Sequence, residues 1–449
     1  MKRILVIAVM VGAALSLDAL SQTTRNKTMR DRRSEVKKAR IQIAAQQLKP
    51  QSEKNNSWQY YGQKAIDEYK AKNHPAFLEN AEKAVQVGPF RHPWLMYQLA
   101  RAYSLNGKTV EASKLLNDLV EMGLGSDAAE NDDFKSLRIT GEWAELSKKI
   151  AAVKTPLVRS QTAFIIPEPE LIPEGITYDP KRRIFYLGSF KSKIISIDAA
   201  GRKRDFKVSG QDGLTSVLGM KVDVRRRLLW VCNSTRDGVG FVHKYNLNSG
   251  RLIKKYTLDN KPESHLLNDI TFNRRGDVYI TDSLGAAVYE IPANTDELQI
   301  LVKLEQGIYP NGIALSRNEK RLFVAAFTGI SLIDIGTKTQ TELAQDENIA
   351  LTGADGLYLY GNSLIAIQNA NPSPDRIIRL FLNADGNKVE KARVIESNHP
   401  LYVIPTTGAI VGDNFFYIAN THLDSVGADG KISPSSKLRN PILLRVNLN

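Results

Sequence analysis

The chain has 449 residues, 42% of them hydrophobic and 24% charged, a composition typical of a packed globular protein. It excludes a disordered chain and a collagen-like fibre. Because Cys232 is the single cysteine, it also excludes a disulfide scaffold and a cysteine-rich zinc site. The net charge of +13 is concentrated at the N-terminus, since residues 1–54 carry +8 and the other 395 residues only +5. We therefore predict no nucleic-acid partner.

The first residues follow the pattern of a secretory signal peptide. Lys2 and Arg3 precede an apolar run at residues 4–17, after which the chain becomes polar. A membrane span needs about 20 apolar residues, so we favour a cleaved signal at residues 1–21 over a membrane anchor. This predicts a periplasmic or secreted protein with no transmembrane span after cleavage. Residues 22–56 are predicted to form a basic flexible arm; contact of this arm with an anionic membrane surface is the alternative.

Apolar residues recur at three- and four-residue spacing in the next segment, which predicts a small all-α domain at residues 57–153. The predicted helices cover residues 58–72, 75–87, 93–105, 108–122 and 142–152. The segment at residues 99–103 and the following Gly107 resemble the tetratricopeptide repeat, in which small residues let antiparallel helices approach closely. This resemblance implies a protein partner for the helices. A helical cap for the neighbouring domain is the alternative.

From Phe164 onward, short runs of Val, Ile, Phe, Tyr and Leu are separated by turn residues, which predicts β-strands. The strand pattern repeats six times, with spacings of 44, 50, 43, 44 and 52 residues between the openings of successive repeats. Those openings are Glu174, Leu218, Asn268, Asn311, Asp355 and Thr407. Six four-stranded units predict a six-bladed β-propeller at residues 162–449, so the fold class is mainly β. We expect the strand-like segment 442–446 to complete the ring of blades.

Four of the six opening residues carry side-chain oxygen atoms that suit a cation. In a propeller the innermost strand of each blade runs along the central channel, so equivalent residues of successive blades form a ring. Glu174 and Asp355 supply carboxylates, and Asn268 and Asn311 supply amide oxygens, which are the ligands that Ca²⁺ and other hard divalent cations prefer. The alternative is that these are ordinary turn residues before a strand. Glu174 is the least turn-like, so we favour a metal site.

The motifs around these positions resemble the gluconolactonase/regucalcin (senescence marker protein) family; the calcium-dependent lactonases, the paraoxonases and diisopropylfluorophosphatase are similar. The motifs that carry the resemblance are Pro173-Glu174-Gly175, Asn268-Asp269-Ile270, Pro310-Asn311-Gly312 and Ala354-Asp355-Gly356. The resemblance covers residues 164–449. It implies a divalent cation, often Ca²⁺, held by Glu174, Asn268, Asn311 and Asp355, and it implies hydrolysis of a small-molecule lactone or related ester.

Under this resemblance, Asp355 acts as a general base on water or as a nucleophile, and Asp269 orients Asn268 or a bound water molecule. His265 and His422 are weaker candidates for contact with the substrate. Four residues end strands at equivalent places, and we favour turn residues over the alternative that they line one mouth of the channel: Asn233, Asp282, Asn369 and Asn420. The alternative to a hydrolase is a non-catalytic binding module in which the ion only stabilises the propeller.

Overall fold

The computed structural model describes residues 56–305, 309–427, 432 and 438–449. The predicted signal peptide at residues 1–21 and the predicted basic arm, apart from Asn56, lie outside the described residues. No helix within the described part of the chain combines the length and the apolar character that crossing a membrane requires.

The described chain begins with α-helices in the order that the periodicity predicts. They are α1 (Trp58–Lys70), α2 (His74–Val87), α3 (Pro93–Leu105), α4 (Thr109–Glu121) and α5 (Trp143–Lys154). A 3₁₀-helix at Asp132–Ile139 lies between α4 and α5 and was not predicted, because such a short helix shows no clear apolar period. Ala100, Ala112 and Leu116 pack in one buried cluster, so small residues lie where these helices meet. The tetratricopeptide assignment stays a prediction.

The chain enters the β-sheets through strand β1 (Gln161–Ile165) and then forms the first three blades. Blade one contains β2 (Pro173–Asp179), β3 (Ile184–Ser189), β4 (Ile194–Asp198) and β5 (Lys203–Lys207). Blade two contains β6 (Ser216–Asp223), β7 (Leu228–Ser234), β8 (Gly240–Asn246) and β9 (Leu252–Leu258). Blade three contains β10 (Leu267–Phe272), β11 (Val278–Asp282), β12 (Ala287–Ile291) and β13 (Gln299–Lys303).

The remaining strands form blades four to six. Blade four contains β14 (Ile313–Leu315), β15 (Arg321–Ala326), β16 (Gly329–Asp334) and β17 (Gln340–Glu342). Strand β18 (Ala344–Gln345) then joins the outer edge of blade five, which contains β19 (Ala354–Tyr360), β20 (Ser363–Gln368), β21 (Arg376–Leu382) and β22 (Lys388–Ser397). Blade six contains β23 (Gly408–Val411), β24 (Asn414–Ile418) and β25 (Ile442–Asn447).

The blades close into a ring, which confirms the predicted six-bladed propeller. Within the described residues the strands form six sheets, and the first strand of each blade contacts the first strand of the next. Strand β23 of blade six also contacts β2 of blade one. Blade six has the order β1-β25-β24-β23, so a strand from the start of the fold completes the last blade. Closure leaves no open sheet edge between the first and last blades.

The core lies mainly between neighbouring blades. One buried cluster joins Trp230 and Cys232 of blade two to Ile270 and Ile280 of blade three. Strand β20 is buried along its whole length, as expected for a strand covered on both faces. Cys232 is therefore a buried core residue, and burial raises the pKa of its thiol well above the ordinary value.

The helices pack against one end of blades four and five. Phe327, which follows β15, stacks on Trp58 at 6.3 Å between ring centroids, and its carbonyl oxygen lies 3.0 Å from His92 Nε2. The buried Arg376 of β21 donates hydrogen bonds to the carbonyl oxygens of Met122 and Gly123, just after α4. Phe327 follows the second strand of blade four, and in each blade the second strand ends beside the start of the first strand. The helices therefore pack at the end of the channel where the first strands begin.

Residues 154–161 contain a proline and show no apolar period, which predicts a linker, and in the structure this segment is bound to the propeller. Leu157 forms a β-bridge with Ser397 at the end of β22. The Glu396 carboxylate accepts hydrogen bonds from the N–H groups of Arg159 and Ser160, at 3.1 Å each, and from the Ser160 hydroxyl at 2.7 Å. A buried carboxylate with these partners fixes the path of the chain between α5 and β1.

Candidate metal centre

The six opening residues, which we call the hub residues, occupy equivalent places on the inner strands. In four blades the first strand carries a β-bulge, where two residues lie opposite one residue of the second strand. The two bulged residues are 174–175, 218–219, 268–269 and 355–356. Because a bulge bends the strand and redirects its side chains, the same local device sets the direction of Glu174, Asn268 and Asp355.

Asn311 and Thr407 hold the corresponding places in blades four and six, although the strands there begin one or two residues later. The Asn311 N–H donates to the Ala325 carbonyl oxygen (2.8 Å), and the Ala325 N–H donates to the Gly312 carbonyl oxygen (2.9 Å). Two residues thus lie opposite one in blade four as well. The Thr407 hydroxyl donates to the backbone carbonyl oxygen of Glu174, which joins blade six to blade one at the hub.

The residue after each hub residue is glycine in five blades, and steric crowding explains why. A Cβ atom on Gly175 would lie 1.8 Å from the Leu218 carbonyl oxygen. A Cβ atom on Gly312 would lie 2.3 Å from the Asp355 carbonyl oxygen. Neither separation is possible between real atoms, so the inner strands approach closely only because glycine stands there. Asp269 takes this place in blade three.

The surroundings of the four predicted ligands suit oxygen donors. Glu174, Asn268 and Asp355 are buried, and Asn311 is half-buried. The Asn369 amide donates to Asp355 Oδ2 at 2.6 Å, and the Asn268 amide N–H donates to Ser283 Oγ at 2.8 Å. The second bond occupies the amide nitrogen of Asn268 and leaves its amide oxygen as the atom suited to a cation.

The carboxylates of the hub act on a common neighbour, Tyr358. Burial and the negative charges of Asp269, Asp355 and Glu174 raise the pKa of the Tyr358 phenol well above its ordinary value. Glu174 and Asp355 therefore lie within electrostatic reach of the same phenol, on opposite sides of blade six. The residue types, two carboxylates and two amide oxygens, are those that a hard divalent cation prefers, and their joint binding of a cation stays a prediction.

Many metal sites in proteins consist only of His, Cys, Asp and Glu side chains. Within the described residues, no group of three His, Cys, Asp or Glu side chains is placed to hold a metal ion. The predicted site differs in kind, because two of its four ligands are asparagine amides.

Asp269 has a structural environment that the sequence did not predict. Its carboxylate accepts hydrogen bonds from the N–H groups of Ile270 (2.8 Å) and Ile313 (3.1 Å), so it joins blades three and four. Burial raises the pKa of Asp269 to about 6, and the charge of Asp355 adds to this, whereas Lys221 and the two N–H groups lower it. Ser283, and not Asp269, is the hydrogen-bonded neighbour of the Asn268 amide.

The channel continues past the hub into a cavity of about 120 Å³. Lys221, Asp269 and Tyr358 lie in its wall, together with backbone of the first strands of blades one, two and six. Burial lowers the pKa of Lys221, and the charge of Asp269 opposes this shift. The Tyr358 hydroxyl accepts a hydrogen bond from the Gly408 N–H at 2.7 Å. The sequence analysis missed both Lys221 and Tyr358, because neither stands in a motif.

The two candidate histidines lie beside the hub and are held by other residues. His265 Nδ1 lies 2.5 Å from Asp282 Oδ2, and the other carboxylate oxygen of Asp282 accepts the Leu266 N–H at 2.8 Å. His422 Nε2 lies 3.3 Å from the N–H of Arg439, and burial lowers its pKa. Within the described chain, neither histidine makes a hydrogen bond to Glu174, Asn268, Asn311 or Asp355.

The strand-ending residues interpreted as turn residues hold the backbone near the hub. Asn233 Oδ1 accepts the Thr215 N–H at 3.2 Å, and Asn420 Oδ1 accepts the Ile442 N–H at 2.7 Å. Asn369 has a further contact, because its amide donates to Asp355 Oδ2 at 2.6 Å as well as to the Pro405 carbonyl oxygen at 2.8 Å. The turn interpretation therefore missed the contact of Asn369 with a predicted ligand.

Solved structures similar to this chain share the propeller fold at low sequence identity. The aldose sugar dehydrogenase of Streptomyces coelicolor, in its PQQ-bound form, is 14% identical with a TM-score of 0.43, covering 65% of this chain and 99% of that one. A luciferin-regenerating enzyme is 15% identical with a TM-score of 0.44, covering 65% and 95%. A streptogramin B lyase is 18% identical with a TM-score of 0.41, covering 65% and 97%.

No protein-family model matches the chain, and no curated protein matches it either. The structural likenesses concern the fold and carry no information on activity. Membership of the gluconolactonase/regucalcin family stays a prediction.

Proposed function

We propose that the protein is a divalent-metal-dependent hydrolase that acts on a lactone or related ester at the hub of its propeller. The observation that supports this most is the set of equivalent places held by Glu174, Asn268, Asn311 and Asp355, which give two carboxylates and two amide oxygens. Ca²⁺ is the cation we favour for this set. The substrate class rests on the motif resemblance to the gluconolactonase/regucalcin family.

The residues around the hub suggest how water would be activated. When bound, a hard divalent cation would supply Lewis-acid polarisation of the substrate carbonyl. Asp355 would accept a proton from the attacking water and return it to the leaving alkoxide oxygen. Asn369 would fix the orientation of the Asp355 carboxylate through its 2.6 Å hydrogen bond. Ser283 would hold the Asn268 amide in place.

The alternative is a binding module in which the ion is structural. The observation in its favour is that hub residues already join neighbouring blades, as the Thr407 hydroxyl does at the Glu174 carbonyl oxygen. A cation at this point would strengthen the same junctions without turnover. In this alternative the helices would bind a protein partner. Export to the periplasm or medium belongs to both proposals and awaits a test of residues 1–21.

A metal-restoration experiment distinguishes the two functions. The purified protein is stripped with chelator, titrated with Ca²⁺ by calorimetry, and assayed on a panel of lactones and aryl esters. For the hydrolase we expect metal-restored turnover that falls about 10³-fold in Asp355→Ala. Glu174→Ala should lose metal affinity. The matched control is Asp385→Ala, an exposed aspartate in the β21–β22 turn, which should keep full affinity and activity.

Two other outcomes of this experiment would contradict the hydrolase. Metal binding that raises the unfolding temperature, with no turnover on any substrate, would favour the binding module. An absence of saturable divalent-metal binding to the stripped protein would overturn both proposals.

A further inference from the structure

Basic residues are concentrated in one repeated element of the propeller, the turn between the first and second strands of a blade. Four of these turns are residues 179–183, 223–227, 273–277 and 316–321. Together they contain 11 Lys and Arg and 4 Asp and Glu, which gives a net charge of +7. The corresponding turns of blades five and six, residues 360–362 and 411–414, carry no Lys or Arg.

The four basic turns lie on one face, which we call the turn face. Every first strand begins within two residues of its hub residue and ends at this turn, so the turns of all blades emerge at the end of the channel opposite the hub. Contacts between blades make the face continuous. Arg227 binds the Asp179 carboxylate at 2.6 Å, which joins the turns of blades two and one. Arg226 Nη2 donates to the Arg274 carbonyl oxygen at 2.8 Å, joining blades two and three.

The contact between blades three and four completes the row, since Arg274 lies 3.3 Å from the Glu319 carboxylate. Many of the remaining cations of the turn face are exposed, namely Lys181, Arg182, Arg183, Arg225, Arg317 and Lys320. The large exposed hydrophobic residues of the described chain lie elsewhere, none of them in these four turns. The turn face is therefore basic and carries none of the large exposed apolar side chains that would enter a bilayer.

We propose that the turn face docks electrostatically on the surface of a bilayer that contains anionic phospholipids. An array of basic turns, one from each of four adjacent blades, matches an extended negative surface. The four turns contain none of the aromatic side chains on which single-stranded nucleic acid stacks. The predicted basic arm suits the same partner, since residues 22–54 carry a net charge of +7 and remain after the predicted cleavage of residues 1–21.

Docking through the turn face would determine which way the hub residues face relative to the membrane. The hub and the helices packed on blades four and five lie at the opposite end of the channel, so the candidate metal centre would face away from the membrane. The inference is independent of the proposed hydrolase, because it depends only on the charge and position of the turns.

Vesicle binding by the full chain tests the proposal. Sedimentation with phosphatidylcholine vesicles that contain phosphatidylglycerol is compared with vesicles of phosphatidylcholine alone. The turn-face variant is Lys181→Glu, Arg225→Glu and Arg317→Glu, and none of these three side chains forms a salt bridge to a residue that the structure describes. We expect it to bind the anionic vesicles at least tenfold more weakly than the parent chain. The affinity of the parent should fall as salt is raised.

The matched control reverses the same number of charges in the helices, with Lys72→Glu, Lys114→Glu and Lys135→Glu, all exposed. It keeps the net charge and the N-terminal segment of the turn-face variant, and we expect affinity within twofold of the parent. Equal vesicle affinity for the turn-face variant and the parent would overturn the proposal, as would an equal loss in the control. Tighter binding to a short DNA duplex than to anionic vesicles, lost in the turn-face variant, would replace the lipid with a nucleic acid.

Discussion

At the scale of single residues, the Asp355 carboxylate and its neighbour Asn369 carry most of the proposed chemistry. Asn369 is buried, and it donates to both Asp355 Oδ2 and the Pro405 carbonyl oxygen. A hydrogen bond from a neutral amide fixes the orientation of a carboxylate. Asn369 is thus a positioning residue, because it acts on the reaction only through Asp355.

Replacing Asn369 should weaken metal binding more than it weakens the fold. In Asn369→Ala the Asp355 side chain loses the hydrogen bond from Asn369, so we expect the affinity for Ca²⁺ to fall about tenfold. The free energy of unfolding should fall by about 1–2 kcal/mol, the usual effect of losing a buried hydrogen bond. Calorimetric titration and chemical denaturation measure the two effects separately.

Asn371→Ala is the control for this variant. Asn371 is buried on the same segment and donates to the Thr352 carbonyl oxygen at 2.7 Å, but it bonds no hub residue. We expect a similar loss of stability with unchanged metal affinity. If the two variants bind Ca²⁺ equally well, Asn369 has no positioning role.

Some residues of the candidate site could be predicted from the sequence, and others could not. Glu174, Asn268, Asn311 and Asp355 could be predicted because each opens a repeat, so repeat spacing alone makes them equivalent. Asn369 and Ser283 could not, because Asn and Ser are common strand-ending residues and their bonds depend on three-dimensional packing. Lys221 and Tyr358 stand in ordinary strands, and only the ring closure of the propeller places them in one channel.

At the scale of secondary-structure elements, the junction between the helices and blade four depends on a buried histidine. His92 precedes α3, and its Nε2 lies 3.0 Å from the Phe327 carbonyl oxygen. Its ring centroid lies 4.9 Å from that of Phe327 and 6.0 Å from that of Trp58. A carbonyl oxygen needs a donor, so Nε2 carries the hydrogen in a neutral ring. Burial disfavours the imidazolium and lowers the pKa of His92 to about 4.

This pKa predicts that acid removes the stability that neutral His92 contributes. The unfolded state binds the proton of His92 near pH 6.5, whereas the folded state binds it only near pH 4. At this residue the unfolded state therefore holds more protons between these values, and lowering the pH from 6.5 to 4 reduces the contribution of His92 to the free energy of unfolding by about 3 kcal/mol. Denaturation across this range should show a smaller pH dependence in His92→Gln than in the parent. The same slope in both proteins would contradict the assignment.

The elements themselves were well predicted by periodicity, with limits that have physical reasons. Helix α3 begins and ends as predicted, because Pro93 suits a helix start and Asn106-Gly107 suits a helix end. The contact of α3 with Phe327 was not predictable, since the two residues that meet, His92 and Phe327, are far apart in sequence. The segment predicted as a linker has no period of its own, and its bonds to Glu396 form only in the folded propeller.

At the scale of the whole molecule, the fold depends on strands from two distant parts of the chain. Strand β25 lies between β1 and β24, so its backbone bonds join the start of the propeller to its end. Repeat spacing predicted the number of blades, and the strand-like character of residues 442–446 predicted closure. The position of β1 as the outer strand of blade six was not predicted, because its short, partly exposed sequence resembles a linker.

Closure makes the stability of blade six a property of the whole ring, and one substitution tests this. Leu444 is 1% exposed in the core of β25, so Leu444→Asp places a charge among buried apolar side chains and should cost at least about 4 kcal/mol. The adjacent Arg445 is exposed on the same strand, and Arg445→Asp should change stability by under about 0.5 kcal/mol.

Because each inner strand packs on the next, opening blade six exposes the side of blade one and then of blade two. We therefore expect hydrogen exchange in β7 of blade two to accelerate in Leu444→Asp; faster exchange confined to blade six would show that the blades unfold independently.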